Sequence, residues 1–196
     1  QNQTNSAGGT GTRAVACGGA GAPNNKTSSI SYITVETLGN SQDFGDLTQG
    51  DINSPVGAAS RTRGLSMGGS TVPARQSTIE FVTIASTGSA ADYGDLSVAR
   101  AESGSVSNQT RAIAAGGSTP GGVDSNVMDY GEIASTGTFV DFGDLSLARE
   151  AKGGGIASQV RGIFYGGNPA TNIIEFVTIS TTGDAQNFGE LTSTAI

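Results

Sequence analysis

The chain has 196 residues, 17 acidic against 10 basic side chains for a formal charge of −7, a single cysteine, and neither histidine nor tryptophan. Dispersed basic residues in an acidic chain leave no electropositive track for a phosphate backbone, which argues against nucleic acid as a partner. The missing histidine removes Ser-His-Asp and Cys-His nucleophiles and histidine metal centres, and the lone Cys17 permits no internal disulfide framework.

No apolar stretch nears the ~20 residues that cross a bilayer, and no charged-then-apolar signal segment opens the chain, so it reads as soluble, without membrane insertion. It begins at Gln1 rather than Met, and the expectation is a processed form or a piece of a longer polypeptide. Thirty-one glycines and only 14% charged residues would suggest low complexity if the apolar residues were scattered. They are instead gathered into short runs, such as Ile79 to Ile84, and the chain is expected to fold.

In chain order, a cassette of about 49 residues appears four times. The first holds Arg13-Ala14-Val15-Ala16-Cys17-Gly18-Gly19, a strand closing on paired glycines, then the loop Ala20 to Ser29, the β-branched strand Ile30 to Val35, and Phe44-Gly45-Asp46-Leu47. The second holds Arg63 to Gly69, the loop Ser70 to Thr78, the strand Ile79 to Ile84, and Tyr93-Gly94-Asp95-Leu96. In the third, a small-residue strand from Glu102 to Ser107 turns at Asn108-Gln109 into Arg111 to Ala115, which stops at Gly116-Gly117. The loop Ser118 to Ser125, a strand from Asn126 to Ser135, a turn at Thr136-Gly137 and a strand from Phe139 to Leu145 complete it. The fourth holds Arg161 to Gly167, the short loop Asn168 to Thr171, Ile173 to Ile179, and Phe188-Gly189-Glu190-Leu191. Helical spacing is absent, so the chain is all-β, with four antiparallel strands per cassette. The third strands are apolar on both alternation faces, and such sheets must be sandwiched between neighbours.

Four-stranded units covered on both faces resemble propeller blades, and the glycine pair, apolar third strand, aromatic and following leucine resemble the kelch repeat in particular. Gly116-Gly117, Asn126 to Ile133, Phe142 and Leu145, and Arg149 stand in those places. The resemblance covers essentially the whole chain and implies a kelch-like β-propeller of four repeats, residues 1–196 forming one repeat domain. It departs from the family in having Phe or Tyr for the usual tryptophan and an arginine after the leucine only at Arg100 and Arg149. By register, Gln1 matches Ala99 and Ile196 matches Glu150 or Ala101, so the segment 1–12 is expected to finish the last blade and close the ring. A slice of a longer array, or a ring completed with partner chains, is the other outcome.

The stretch from Ile79 to Arg100, with near-copies at Met128 to Arg149 and Ile174 to Leu191, is similar to kelch-like repeats of structural and tail-appendage proteins of tailed bacteriophages, notably those of marine cyanobacteria. That resemblance implies a virion location in a tail fibre or other host-facing appendage. It implies partners among other virion or surface proteins, self-association included, and a glycan or protein receptor. A secreted or cell-surface bacterial protein using the same repeats for assembly or carbohydrate binding is the alternative.

The recurring acids Asp46, Asp95, Asp144 and Glu190, with Asp43, Asp92 and Asp141 three positions earlier, form either a ring of Ca²⁺ ligands or turn caps. The caps are favoured, because groups present in every blade are more simply scaffold. Arg13, Arg63, Arg111 and Arg161 either line a channel and bind an anion or pair with those acids between blades, and the pairing is favoured because acid and arginine recur in equal number. No acid breaks the pattern as a catalytic pair should, so the chain is read as non-enzymatic, with no cofactor and no metal. Binding is expected at the variable loops, through Asn24, Asn25, Lys26, Arg75, Gln76, Asp124 and Asn168.

Overall fold

The computed structural model describes residues 3–9, 11–21, 25–71, 74–152 and 155–195, the side chains of 3–9, 20–21 and 25–26 excepted. Four antiparallel sheets follow one another along the chain, and no helix occurs among the described residues. The first sheet contains β1 (Gln3–Gly9), β2 (Arg13–Gly21), β3 (Asn25–Lys26), β4 (Ser29–Thr34) and β5 (Gln42–Asp46), ordered β1-β2-β4-β5 with β3 on β2. The second runs β6 (Val56–Ala59), β7 (Arg63–Met67), β8 (Thr78–Thr83), β9 (Ala91–Asp95). The third runs β10 (Gly104–Ser107), β11 (Arg111–Ala115), β12 (Val127–Glu132), β13 (Val140–Asp144), and the fourth β14 (Gly155–Ala157), β15 (Arg161–Tyr165), β16 (Thr171–Thr178), β17 (Gln186–Ala195).

Two differences from the sequence expectation have local causes. The strand expected from Glu102 starts at Gly104, because Glu102 takes a left-handed φ of 62° that no strand accommodates. The N-terminal segment does not complete the last sheet: β1 pairs with β2, with Ala7 opposite Val15, while the fourth sheet draws its first strand from its own cassette. A tight hairpin closes more readily than a pairing across nearly the whole chain.

The register of second and third strands is the same in all four sheets. Arg13, Arg63, Arg111 and Arg161 stand opposite Thr34, Thr83, Glu132 and Thr178. Each pairing of third and fourth strands slips by one residue, after Ile30, Ile79, Met128 and Ile174. The residue passed over is the aromatic, Phe44, Tyr93, Phe142 or Phe188, so a bulge re-aims that ring out of the regular alternation. In the first three sheets it is buried.

Among the described residues, burial lies between sheets, in three clusters. Val15, Ile30 and Phe44 of the first sheet meet Val82 and Ile84 of the second. Leu65, Ile79 and Tyr93 meet Ala112, Ile133 and Phe139, and Ile113, Met128 and Phe142 meet Phe164, Val177 and Ile179. The backbones join as well, the N–H groups of Gly88, Gly137 and Gly183 each donating over 2.7 Å to the carbonyls of Phe44, Tyr93 and Phe142. That approach needs glycine on the opposing strand: a Cβ at Gly94 would lie 2.4 Å from the Gly137 carbonyl oxygen.

Charge is also buried between sheets. The carbonyls of Ile52, Arg100, Arg149 and Ala195 accept from the second glycine of each pair, which makes these four positions equivalent. Arg100 is fully buried, lies 2.7 Å from Asp129 and donates to the carbonyls of Val127 and Ala114. Burial draws its guanidinium below the usual arginine range, and Asp129 opposes that shift. Arg149 and Glu175 lie 2.6 Å apart, but the guanidinium is not aligned for a hydrogen bond and its nitrogens find no such partner among the described residues. At the first junction Ile52 replaces the arginine, and the buried Glu80 instead accepts from the Thr48 N–H over 2.7 Å and from the Thr48 hydroxyl.

Removing one member of a buried pair strands the other charge. Asp129→Ala is therefore expected to cost about 3–5 kcal/mol in urea unfolding. Replacing Arg149 with Met and Glu175 with Leu together should cost less than the same paired change at Arg100 and Asp129, since Arg149 forfeits no hydrogen bonds; equal losses would contradict this account.

Candidate functional site

The recurring arginines do not meet the recurring acids. Each guanidinium stacks on an aromatic ring of its own sheet: Arg13 on Tyr32 at 4.6 Å, and Arg63 on Phe81, Arg111 on Tyr130 and Arg161 on Phe176 at 4.3 Å. Such contacts contribute about 0.5–1 kcal/mol at exposed sites. The first three also donate to carbonyls of the following sheet, at Ile84, Ile133 and Ile179 over 3.1, 3.2 and 3.1 Å. Arg111 forms an ion pair with Glu132 at 3.2 Å, not with a recurring acid.

The acids stand at the other end of the third strand. Arg63 is opposite Thr83, whereas Asp95 is opposite Thr78. Five residues of strand hold the two apart within a sheet, roughly 17 Å, and across the junctions Arg13, Arg63 and Arg111 reach the carbonyls of Ile84, Ile133 and Ile179, at the end of the third strand away from the acids, in place of the pairing expected between blades. Asp46 and Asp95 accept from the hydroxyls of Ser28 and Ser77 over 3.3 and 2.9 Å, and Glu190 from the Asn172 amide over 3.1 Å. The backbone N–H of Asp144 donates to Asp184 over 3.0 Å. Among the described residues no three His, Cys, Asp or Glu side chains gather as metal ligands.

The variable loops are less free than their sequences suggest. Asn24 lies outside the described residues, and Asn25 and Lys26 form β3, paired with Gly21 and Ala20. Ser70, Ser118 and Asn168 each bridge to the segment entering their own sheet, at Asn53, Ala101 and Glu150. Arg75 then reaches from the second sheet's loop to the third's, donating to the Ser118 hydroxyl over 3.0 Å. Asp124, half-buried, bridges back to Ser118. Gln76 donates to Thr71 Oγ1 over 2.7 Å within its own loop. Asn168 donates to Glu150 Oε2 over 2.8 Å.

Around these contacts lies a polar cluster that the sequence reading passed over. Glu102 and Glu150 hydrogen-bond to each other, and Lys152 sits 3.5 Å from the first and 2.8 Å from the second. Burial raises the Glu102 carboxyl above the ordinary range and its hydrogen bond to Glu150 raises it further, while Lys152 and Arg75 pull the other way. Burial would raise Glu150 too, but hydrogen bonds from Glu102, Lys152 and Asn168 outweigh it and hold the carboxyl at about 2. The hydrogen bond to Glu150 raises the Lys152 ammonium, against the effect of burial. The contact between the two carboxyls therefore moves them in opposite directions, Glu102 up and Glu150 down. The available signal was the departure from the cassette: acids directly follow Arg100-Ala101 and Arg149, whereas Ser54 and Ala151 occupy the positions matching Glu102 in the neighbouring cassettes.

The arrangement brings Asn168, Glu102, Glu150 and Lys152 into one cluster, with Arg75 acting on Glu102 through its charge, and leaves Lys152 about one-third exposed. Compared with known protein families and with curated proteins, the chain matches none.

The two carboxyls act oppositely on stability. Glu150, depressed in the folded state, contributes stability that is present above the ordinary carboxylate value and lost as pH falls toward about 2. Glu102, raised on folding, favours the folded state most while it keeps its proton and detracts progressively as pH climbs past the ordinary value. Glu102→Gln should therefore flatten the decline in melting temperature on the neutral side of that value. An unchanged pH profile would mean that the pair is not coupled in solution.

Proposed function

We propose that the four sheets are kelch-like propeller blades of a non-enzymatic structural or adhesive module, located in a host-facing appendage of a phage virion such as a tail fibre. The cassette wording from Ile79 to Arg100 and its near-copies supports the family reading. The observation that carries the adhesive role is the contrast between matched strand registers and unmatched loops. Loops that differ on a scaffold that does not are where recognition is normally placed. Arg75, Ser118, Asp124 and Asn168, backed by Glu102, Glu150 and Lys152, supply the planar cation, amide, hydroxyl and carboxylate groups suited to sugar hydroxyls or a polar protein surface.

The buried arginines and acids are occupied in joining sheets, which supports a scaffold role for them rather than a catalytic one. No nucleic acid, cofactor or metal enters this reading.

Two measurements test it. Peptide mass spectrometry for Gly162 to Glu175 should find the chain in stoichiometric amount in purified particles; recovery solely from soluble or envelope material would sink the virion placement and favour the cell-surface alternative. Binding to host cells or immobilised surface glycans should fall at least about tenfold when Arg75, Gln76 and Asp124 are changed to alanine, with the melting temperature nearly unmoved. Undiminished binding would remove the loops from the proposal.

A further inference from the structure

The three junctions between consecutive sheets are built alike, and the two terminal sheets each leave uncovered the half of that junction they would contribute to a fourth. On the fourth sheet, Phe188 is 51% exposed, where Phe44, Tyr93 and Phe142 are 2%, 3% and 2% exposed. Ile163, Tyr165, Ile174 and Leu191 are likewise incompletely covered at positions that the first three sheets bury. Arg161 stacks on Phe176 as its counterparts stack on their rings, yet it donates to no carbonyl among the described residues. A Cβ at Gly189 would meet nothing within 4 Å, where one at Gly45, Gly94 or Gly143 would come within 2.5, 2.4 or 2.5 Å of the next sheet's backbone.

The first sheet lacks cover on the complementary side. Val35 is 56% exposed where Ile84, Ile133 and Ile179 are 0%, 1% and 0% exposed. The same sheet bears a trough of about 510 Å³ whose lining includes Ala14, Ala16, Tyr32, Ile33 and Ser41. Gly39 has the φ of +155° found at Gly88, and Gly137 and Gly183 are close to it at +154° and +152°. Those three glycines donate to the preceding sheet, and the Gly39 N–H has no such acceptor among the described residues. Charge is matched too. The fourth sheet carries Ala195 at the arginine position and the first carries Ser31 at the acid position, so joining them buries no unpaired ion.

We infer that these faces are the two halves of one heterologous contact, and that a second copy of this chain occupies each. The fourth sheet of one copy seats on the first sheet of the next, Arg161 donating to the Val35 carbonyl and the Phe188 carbonyl accepting from the Gly39 N–H. The partner is this chain because each group left over on one face has its counterpart on the other, position by position, in a junction the molecule already makes three times. A head-to-tail contact of this kind closes into a ring or grows into a filament. It rests on junction geometry alone and is independent of the virion reading.

The test is sedimentation equilibrium on the 196-residue chain from about 1 μM to about 1 mM. The expected result is a mass above the 19.5 kDa of one chain, rising with concentration. Val35→Asp and Phe188→Asp each spoil one face at an exposed position, so each variant alone should sediment as a single chain. Mixed in equal amounts they should form a one-to-one complex and nothing larger. Arg161→Ala, a milder change, should raise the dissociation constant about tenfold. A single-chain mass at every concentration overturns the inference, as does association that survives in both aspartate variants or a mixture that stays dissociated; far-UV circular dichroism verifies that each variant is folded.

Discussion

Four short strands with apolar side chains on both faces cannot form a stable sheet alone in water, because either face left open forfeits the burial that would offset the entropy of ordering it. Every larger feature of this molecule follows from that constraint. The core is divided into three clusters, each lying between two sheets, and the middle sheets are complete only because they have a neighbour on either side. The terminal sheets satisfy the constraint on one face only. Their exposed Phe188, Val35 and Ile33 are the direct result.

Close stacking requires the backbone to do part of the joining. The bulge at the aromatic residue turns the ring toward the next sheet and lets its carbonyl accept a glycine N–H from that sheet. A side chain at Gly45, Gly94 or Gly143 would strike the next sheet's backbone, and Gly88, Gly137 and Gly183 opposite them hold a positive φ that favours glycine, so glycines recur in pairs across the junction. Buried ion pairs are added in two of the three junctions, and the two differ. Arg100 donates through both terminal nitrogens to two carbonyls and Asp129, its Nε being without a partner among the described residues, whereas Arg149 relies on proximity to Glu175. The first junction manages with a carboxylate held by hydrogen bonds from Thr48.

Function, on the reading offered here, belongs to what this scaffold leaves unconstrained. The segments after the glycine pairs vary while the strands that flank them do not, but they are tethered by bridges to the segments that enter each sheet. That tethering brings Arg75 against Ser118 and places Asn168 beside the Glu102, Glu150 and Lys152 cluster. A receptor would meet groups already held in place, at little entropic cost on binding.

The all-β character, the order of the elements and most strand limits were legible in the sequence, since they depend on alternation, β-branching and glycine position within a few residues of one another. Arg111 to Ala115 was legible to the residue, and Asn126 to Ser135 contained Val127–Glu132 with a margin at each end. The start of β10 was misplaced because the left-handed conformation at Glu102 has no composition signal in a non-glycine residue. What only the tertiary structure decided lies in contacts between sheets. Arginines and acids in equal number suggested pairing, but register holds them at opposite ends of the third strand, and the arginines turn to aromatic rings and to carbonyls some 70 residues away. The Glu102, Glu150 and Lys152 cluster and the two open faces were hidden for the same reason. Local periodicity determines which side of a strand a residue occupies, and only the stacking of one sheet on the next determines what it meets there.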